Sequence, residues 1–126
     1  MKRCVIGAVL LGTLVILGML TALWAERTLS PLEAAMDQAA EASFQGNWAE
    51  TAALTDEAGA AWQKSRGLAG IFFSQETVEE IDGLFVKIRL WQRDRDRTAC
   101  TCDCLVLRER FRALADSQSP GLLHFL

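Results

Sequence analysis

CVIGAVLLGTLVILGMLTALW, residues 4–24, runs for 21 positions without a charged side chain. At about 1.5 Å of rise per residue it covers roughly 30 Å as a helix, the thickness of a bilayer's hydrocarbon core. Eleven of these residues are Leu, Ile or Val. At about −0.3 to −0.6 kcal/mol each, they favour insertion by on the order of −3 to −6 kcal/mol. Three glycines and two threonines offset only part of that, so the stretch predicts a transmembrane helix. Trp24 stands where an interfacial aromatic belongs. Lys2 and Arg3 precede the segment, whereas Glu26 and Arg27 cancel after it. The positive-inside rule then places the N-terminus in the cytoplasm and the following residues outside. A cleavable signal is the alternative, but its apolar core is usually about 7–15 residues and ends in small residues. Leu23-Trp24-Ala25 is a poor cleavage site, and a single-pass signal anchor is the better reading.

The division that follows is a membrane anchor over residues 1–25 and an extracytoplasmic domain over residues 26–126, long enough for one small core. Beyond the anchor stand 11 bases against 16 acids, a balance that argues against nucleic acid and against anionic lipid as partners. Residues 26–62 carry seven acids and one base, and residues 63–97 six acids and seven bases. Charge complementarity between neighbouring helices explains that asymmetry.

Ser30-Pro31-Leu32-Glu33 carries the marks of a helix start: a capping hydroxyl, a proline at the first helical position, and a glutamate that reaches back. Leu32, Ala35, Met36, Ala39, Ser43 and Phe44 then form a helical stripe that Gly46 stops. Asn47 with Glu50 caps a second helix whose stripe is Trp48, Ala52, Thr55, Gly59 and Trp62. The tight turn makes the two an antiparallel hairpin. Gly67 and Gly70 are expected to end the second helix, leaving Ile71-Phe72-Phe73 as a core-facing corner. Ser74 or Thr77 caps a third helix, whose stripe of Val78, Ile81, Leu84, Phe85, Ile88 and Trp91 is the clearest in the chain. The charged run from Gln92 to Arg97 reads as a frayed end and loop. A fourth helix covers about 98–115, with Cys100, Cys104, Leu107, Phe111 and Leu114 on its buried face. Ser119-Pro120 is expected to end regular structure, with the apolar tail, including Leu122 and Leu123, folding back on the bundle. No β-alternation of useful length is present, and the fold class is all-α: one transmembrane helix followed by an antiparallel bundle of about four helices.

Cys100-Thr101-Cys102-Asp103-Cys104 is the one stretch that invites a chemical reading. With His124 as a fourth ligand, three thiols could in principle bind zinc or copper(I). On a helix, however, C-x-C-x-C points the middle sulfur away from the other two. Cys100 and Cys104 share the apolar face, where cysteine acts as a small hydrophobe, and a disulfide between them would need strained geometry. Core cysteines are therefore favoured over a redox disulfide or a metal site. His124 has no nucleophile in a recognisable arrangement beside it. Adjacent carboxylates such as Glu79-Glu80 and Asp56-Glu57 diverge by about 100° on a helix and cannot share a proton. No phosphate-cradling loop, metalloprotease motif or nucleophile elbow appears.

Ala39-Ala40-(x)₃-Phe44-x-Gly46-x-Trp48-x-x-x-Ala52 resembles the hairpin of a tetratricopeptide repeat, in a single copy. Over nearly its full length the chain more closely resembles the bacterial membrane-protein family known as domain of unknown function 4363. Gly46, Trp48, Ala52, Trp62, Phe72, Phe73, Ser119, Leu122 and Leu123 carry that resemblance, and the Cys cluster lies outside it. The resemblance implies a spore-forming Gram-positive source, a neighbouring multi-pass membrane protein and no known activity. The expected function is a membrane-anchored extracytoplasmic interaction module, not an enzyme and without a cofactor. Its partners would be the bilayer, through residues 4–24, and another envelope protein or a second copy. Trp48, Trp62, Phe72, Phe73, Phe85, Trp91, Leu122 and Leu123 are its expected structural and interaction residues. The alternative is a thiol or metal protein built on Cys100, Cys102 and Cys104.

Overall fold

The computed structural model describes the backbone of residues 2–125 and the side chains of those residues other than 72 and 117–126. It holds four helices, α1 (Lys2–Phe44), α2 (Trp48–Phe72), α3 (Gln75–Asp94) and α4 (Arg97–Phe125), and the described residues contain no strand. Each neighbouring pair packs together, and α1 also lies against α4, closing the ring of four.

The apolar segment and the first bundle helix are one unbroken rod. The helix start expected at Ser30-Pro31 is not a boundary, because α1 continues through Pro31 to Phe44. A proline inside a helix removes a hydrogen bond and crowds the carbonyl four residues back, at a cost of about 3 kcal/mol. Here Pro31 is on the exposed side while Leu29 and Leu32 are buried on the core side. Packing on both sides of the proline holds the helix across it. Ala25 is the first fully buried residue of α1. From there Leu29, Leu32, Met36, Ala39, Ala40 and Ser43 line the core. Phe44, expected on that stripe, projects outward with 71% of its surface bare.

The turn into α2 forms as its residues dictate. Gly46 takes φ +78°, the left-handed conformation that costs glycine little. A Cβ at that position would also lie 2.6 Å from Nη2 of Arg97. Asn47 caps α2 by accepting from the Glu50 backbone N–H, and its own amide donates to the Glu50 carboxylate. Thr51 and Thr55 are buried, each donating its hydroxyl to a carbonyl one turn back.

Three further expectations are corrected. Gly67 and Gly70 do not end α2, which reaches Phe72. Both glycines have open space around them, so nothing there forces a turn. Ile71 is not a core-facing corner but 73% exposed. Ser119-Pro120 does not end regular structure, since α4 runs to Phe125. Whether the tail side chains, Leu122, Leu123 and His124 among them, pack on the bundle lies outside the described residues, as does the side chain of Phe72. Ser74, rather than Thr77, caps α3, accepting from the Thr77 N–H. That helix closes on Arg95 in the left-handed conformation, φ 54°, so only Arg95 and Asp96 of the charged run lie outside the helices.

The core is drawn from all four helices, with Trp62 and Phe111 its largest fully buried side chains. Their ring centroids are 5.8 Å apart, and Phe85 lies 6.3 Å from Phe111. These are tilted arrangements of the kind aromatic pairs prefer.

Candidate functional site

Two tryptophans tie the layers together through a matching device. Trp62 on α2 donates its indole N–H to Oδ1 of Asp82 on α3 at 2.7 Å. Trp91 on α3 donates to Oδ2 of Asp103 on α4 at 2.6 Å. In each case a buried or half-buried indole must place one polar N–H, and a carboxylate on the next helix accepts it. Asp82 accepts a second bond from Nε of Arg66, 2.8 Å away. Gln92 adds a third link between α2 and α3, donating to the buried hydroxyl of Thr55 at 2.8 Å. Asp82 and Asp103 were not singled out from the sequence. The available signal was each tryptophan's need for an acceptor, but choosing the acceptor requires the helix register.

The other expected site residues fall into two groups. Phe85 is buried with Trp62, while Trp48, Phe73 and Trp91 are partly buried against the same core. Trp48, at the other end of the same stripe, is therefore less enclosed than Trp62.

The cysteines separate by face. Cys100 and Cys104 are fully buried and Cys102 is exposed, as the helical spacing predicts. All are free thiols. The hydrogen bond with Cys100, reinforced by burial, pushes the Cys104 thiol well above its ordinary range. The first proton leaves from Cys100, drawn down to about 7 chiefly by its hydrogen bond with Cys104, with burial opposing and Ser43 assisting. Ser43 on α1 also accepts from Thr101 at 3.2 Å. Among the described residues no group of three or more His, Cys, Asp or Glu side chains is placed to hold a metal ion.

The long α1–α4 seam carries a ladder of charges. Arg108 bonds Asp37 at 2.7 Å and Glu109 at 2.9 Å, and Arg112 bonds Glu33 at 2.8 Å and Glu109 at 3.2 Å. Arg110 turns instead to Glu80 on α3. Acids of α1 thus meet bases of the last helix, whereas the charge distribution points to the bases of residues 63–97. Arg108 Nε is buried without a partner, although the other nitrogens of that guanidinium are engaged.

Fold and side chains together define a small helical bundle carried on one long apolar helix. In comparisons with family models, curated proteins and solved structures, nothing matches the chain.

Proposed function

We propose that the chain is a membrane-anchored extracytoplasmic interaction module with no catalytic activity of its own, serving as an accessory subunit of another envelope protein. The observation that carries this reading is α1. It is long and apolar enough at its start to cross a membrane, and the same helix supplies one wall of the bundle core. The bundle is thereby held at the bilayer without a linker. Lys2 and Arg3 orient the N-terminus to the cytoplasm. The thiol or metal alternative is less favoured, since two of its three sulfurs face the core and the third faces solvent.

The test is chemical crosslinking and capture of the tagged full-length protein from its native membrane, beside the Trp62→Ala variant. A specific envelope protein recovered with the native chain alone is the expected result. Recovery of the native chain only as a lone monomer would overturn the reading.

A further inference from the structure

We infer that the end of the bundle nearest the apolar span is a lipid-docking collar, seated in the interfacial layer of the same bilayer that α1 crosses. The inference rests on the anchor reading above and adds a second contact surface to it.

The register of the helices places the collar. α1 and α2 leave Gly46 in opposite directions, so equal counts from that turn set Leu68 level with Trp24 and Ile71 level with Thr21. Ala25 and Ala69, close to that level, are both buried, as a hairpin still in contact there requires. α4 runs antiparallel to α1, because Ser43 meets Thr101, Asp37 meets Arg108 and Glu33 meets Arg112. Continuing that register sets the α4 backbone at residues 121–124 level with about residues 21–24 of α1. Two helix ends therefore reach the depth at which the apolar span emerges.

Their sequences suit that depth. α2 ends in Gly67-Leu68-Ala69-Gly70-Ile71-Phe72, and α4 runs out through Gly121-Leu122-Leu123-His124-Phe125. Leu68 is 49% and Ile71 73% exposed, although both sit on a helix that buries Trp62 and Ala69. Large bare apolar side chains clustered on a surface mark a binding face. At the same level α1 leaves Leu20 and Leu23 bare. One turn further from the span the character reverses, with Glu26, Arg27, Lys64 and Arg66 in α1 and α2. In α1 and α2 the boundary between apolar and charged falls at one level, as a water–lipid interface would draw it. α3 stands outside the collar, because the links of Trp62 to Asp82 and of Thr55 to Gln92 set its polar first turn, Gln75 and Glu76, level with residues 68–72. Side chains buried about 5–10 Å into the headgroup and acyl boundary are enough for such a contact.

Site-directed nitroxide labelling of the full-length chain in phosphatidylcholine–phosphatidylglycerol vesicles tests this. The background carries Cys4→Ser and Cys102→Ser, leaving the two buried thiols in place, and single reporters are introduced as Ile71→Cys, Leu14→Cys and Phe44→Cys. Collisions with oxygen report lipid, and collisions with a water-soluble nickel chelate report water. The Ile71 reporter is expected to side with Leu14, with an oxygen-to-nickel ratio severalfold above that of Phe44 at the far end. A ratio at Ile71 equal to that at Phe44, with Leu14 still in lipid, overturns the collar and leaves the anchor standing. An aqueous Leu14 removes the anchor and the collar together. Shielding of Ile71 from both reagents marks protein contact, such as a second copy, and also overturns lipid docking. Leu68→Cys supplies an independent reading if the Ile71 variant fails to fold.

Discussion

Residues 2–24 and 25–44 of α1 belong to one helix but are built for different surroundings. In the first part apolar residues occur on every side, and side chains such as Leu11 and Leu14 are about two-thirds bare. In the second part the large ones other than Phe44 keep to a stripe that buries Leu29, Leu32 and Met36 in the bundle, while Glu33 and Asp37 face their ion-pair partners. Both are continuous α-helix apart from the one hydrogen bond that Pro31 cannot make, so what chiefly distinguishes them is the surroundings their side chains suit. An all-round apolar helix suits lipid, and a striped one suits a protein partner.

The largest expected effect breaks the second part alone. Trp62→Ala removes the fully buried indole, its bond to Asp82 and its contact with Phe111. It should cost the bundle about 3–5 kcal/mol, read by chemical denaturation in nanodiscs, without releasing the chain from the membrane. A loss below about 1 kcal/mol would contradict the packing described.

Breaking the first part alone calls for Leu14→Arg. On the insertion scale this exchange costs about 3–4 kcal/mol at a span's centre. The carbonate-resistant membrane fraction should fall sharply while the bundle's denaturation midpoint stays in place. A coupled drop in both would show that the two parts are not independent.

The Cys104 thiol sharpens the picture of the core. Its folded pKa is raised above the ordinary value, so its contribution is fully present below about pH 9 and is lost as pH rises further. Above that pH the unfolded chain has released the proton that the folded chain keeps. Stability should then fall with a limiting slope of about 1.4 kcal/mol per pH unit. Cys104→Ala alone would take away the hydrogen bond that draws Cys100 down, so it is the double replacement, Cys100→Ala with Cys104→Ala, that should remove the slope, and an unchanged slope in pH-dependent denaturation would refute the assignment.

The smallest effect belongs to the rim of the α1–α4 seam. Asp37 is well exposed and its bridge to Arg108 is screened, so Asp37→Asn should change stability by less than about 1 kcal/mol. A double-mutant cycle with Arg108→Gln would measure the pair itself.

Much of this was legible in the chain because local chemistry and tertiary packing agree. Val78, Ile81, Leu84, Phe85 and Ile88 are all buried, as their spacing requires. Cys100, Cys104, Leu107 and Phe111 are buried as well, and the Gly46-Asn47 turn has the backbone its residues favour. The misreadings lie at helix ends, where punctuation and packing compete. Ser30-Pro31 reads as a start because a proline at the first helical position and one in an interior look identical in sequence. Only the burial of Leu29 and Leu32 decides between them. Gly67, Gly70 and Pro120 were read as stops, but the backbone continues through each. The two indole–carboxylate links depend on which residues of neighbouring helices fall level, a fact that no single-helix pattern contains.

The passage of α1 through Pro31 without a joint has a consequence for orientation. At 3.6 residues per turn, each residue of the span has a fixed compass bearing relative to each residue of the bundle wall. A neighbour that grips one side of the span therefore also selects which bundle face turns towards it. Rolling the helix about its own axis within the membrane would swing Phe44, Cys102 and the α1–α4 seam through the same angle. On the anchor reading proposed above, the chain would behave as a key whose shaft and bit are one piece.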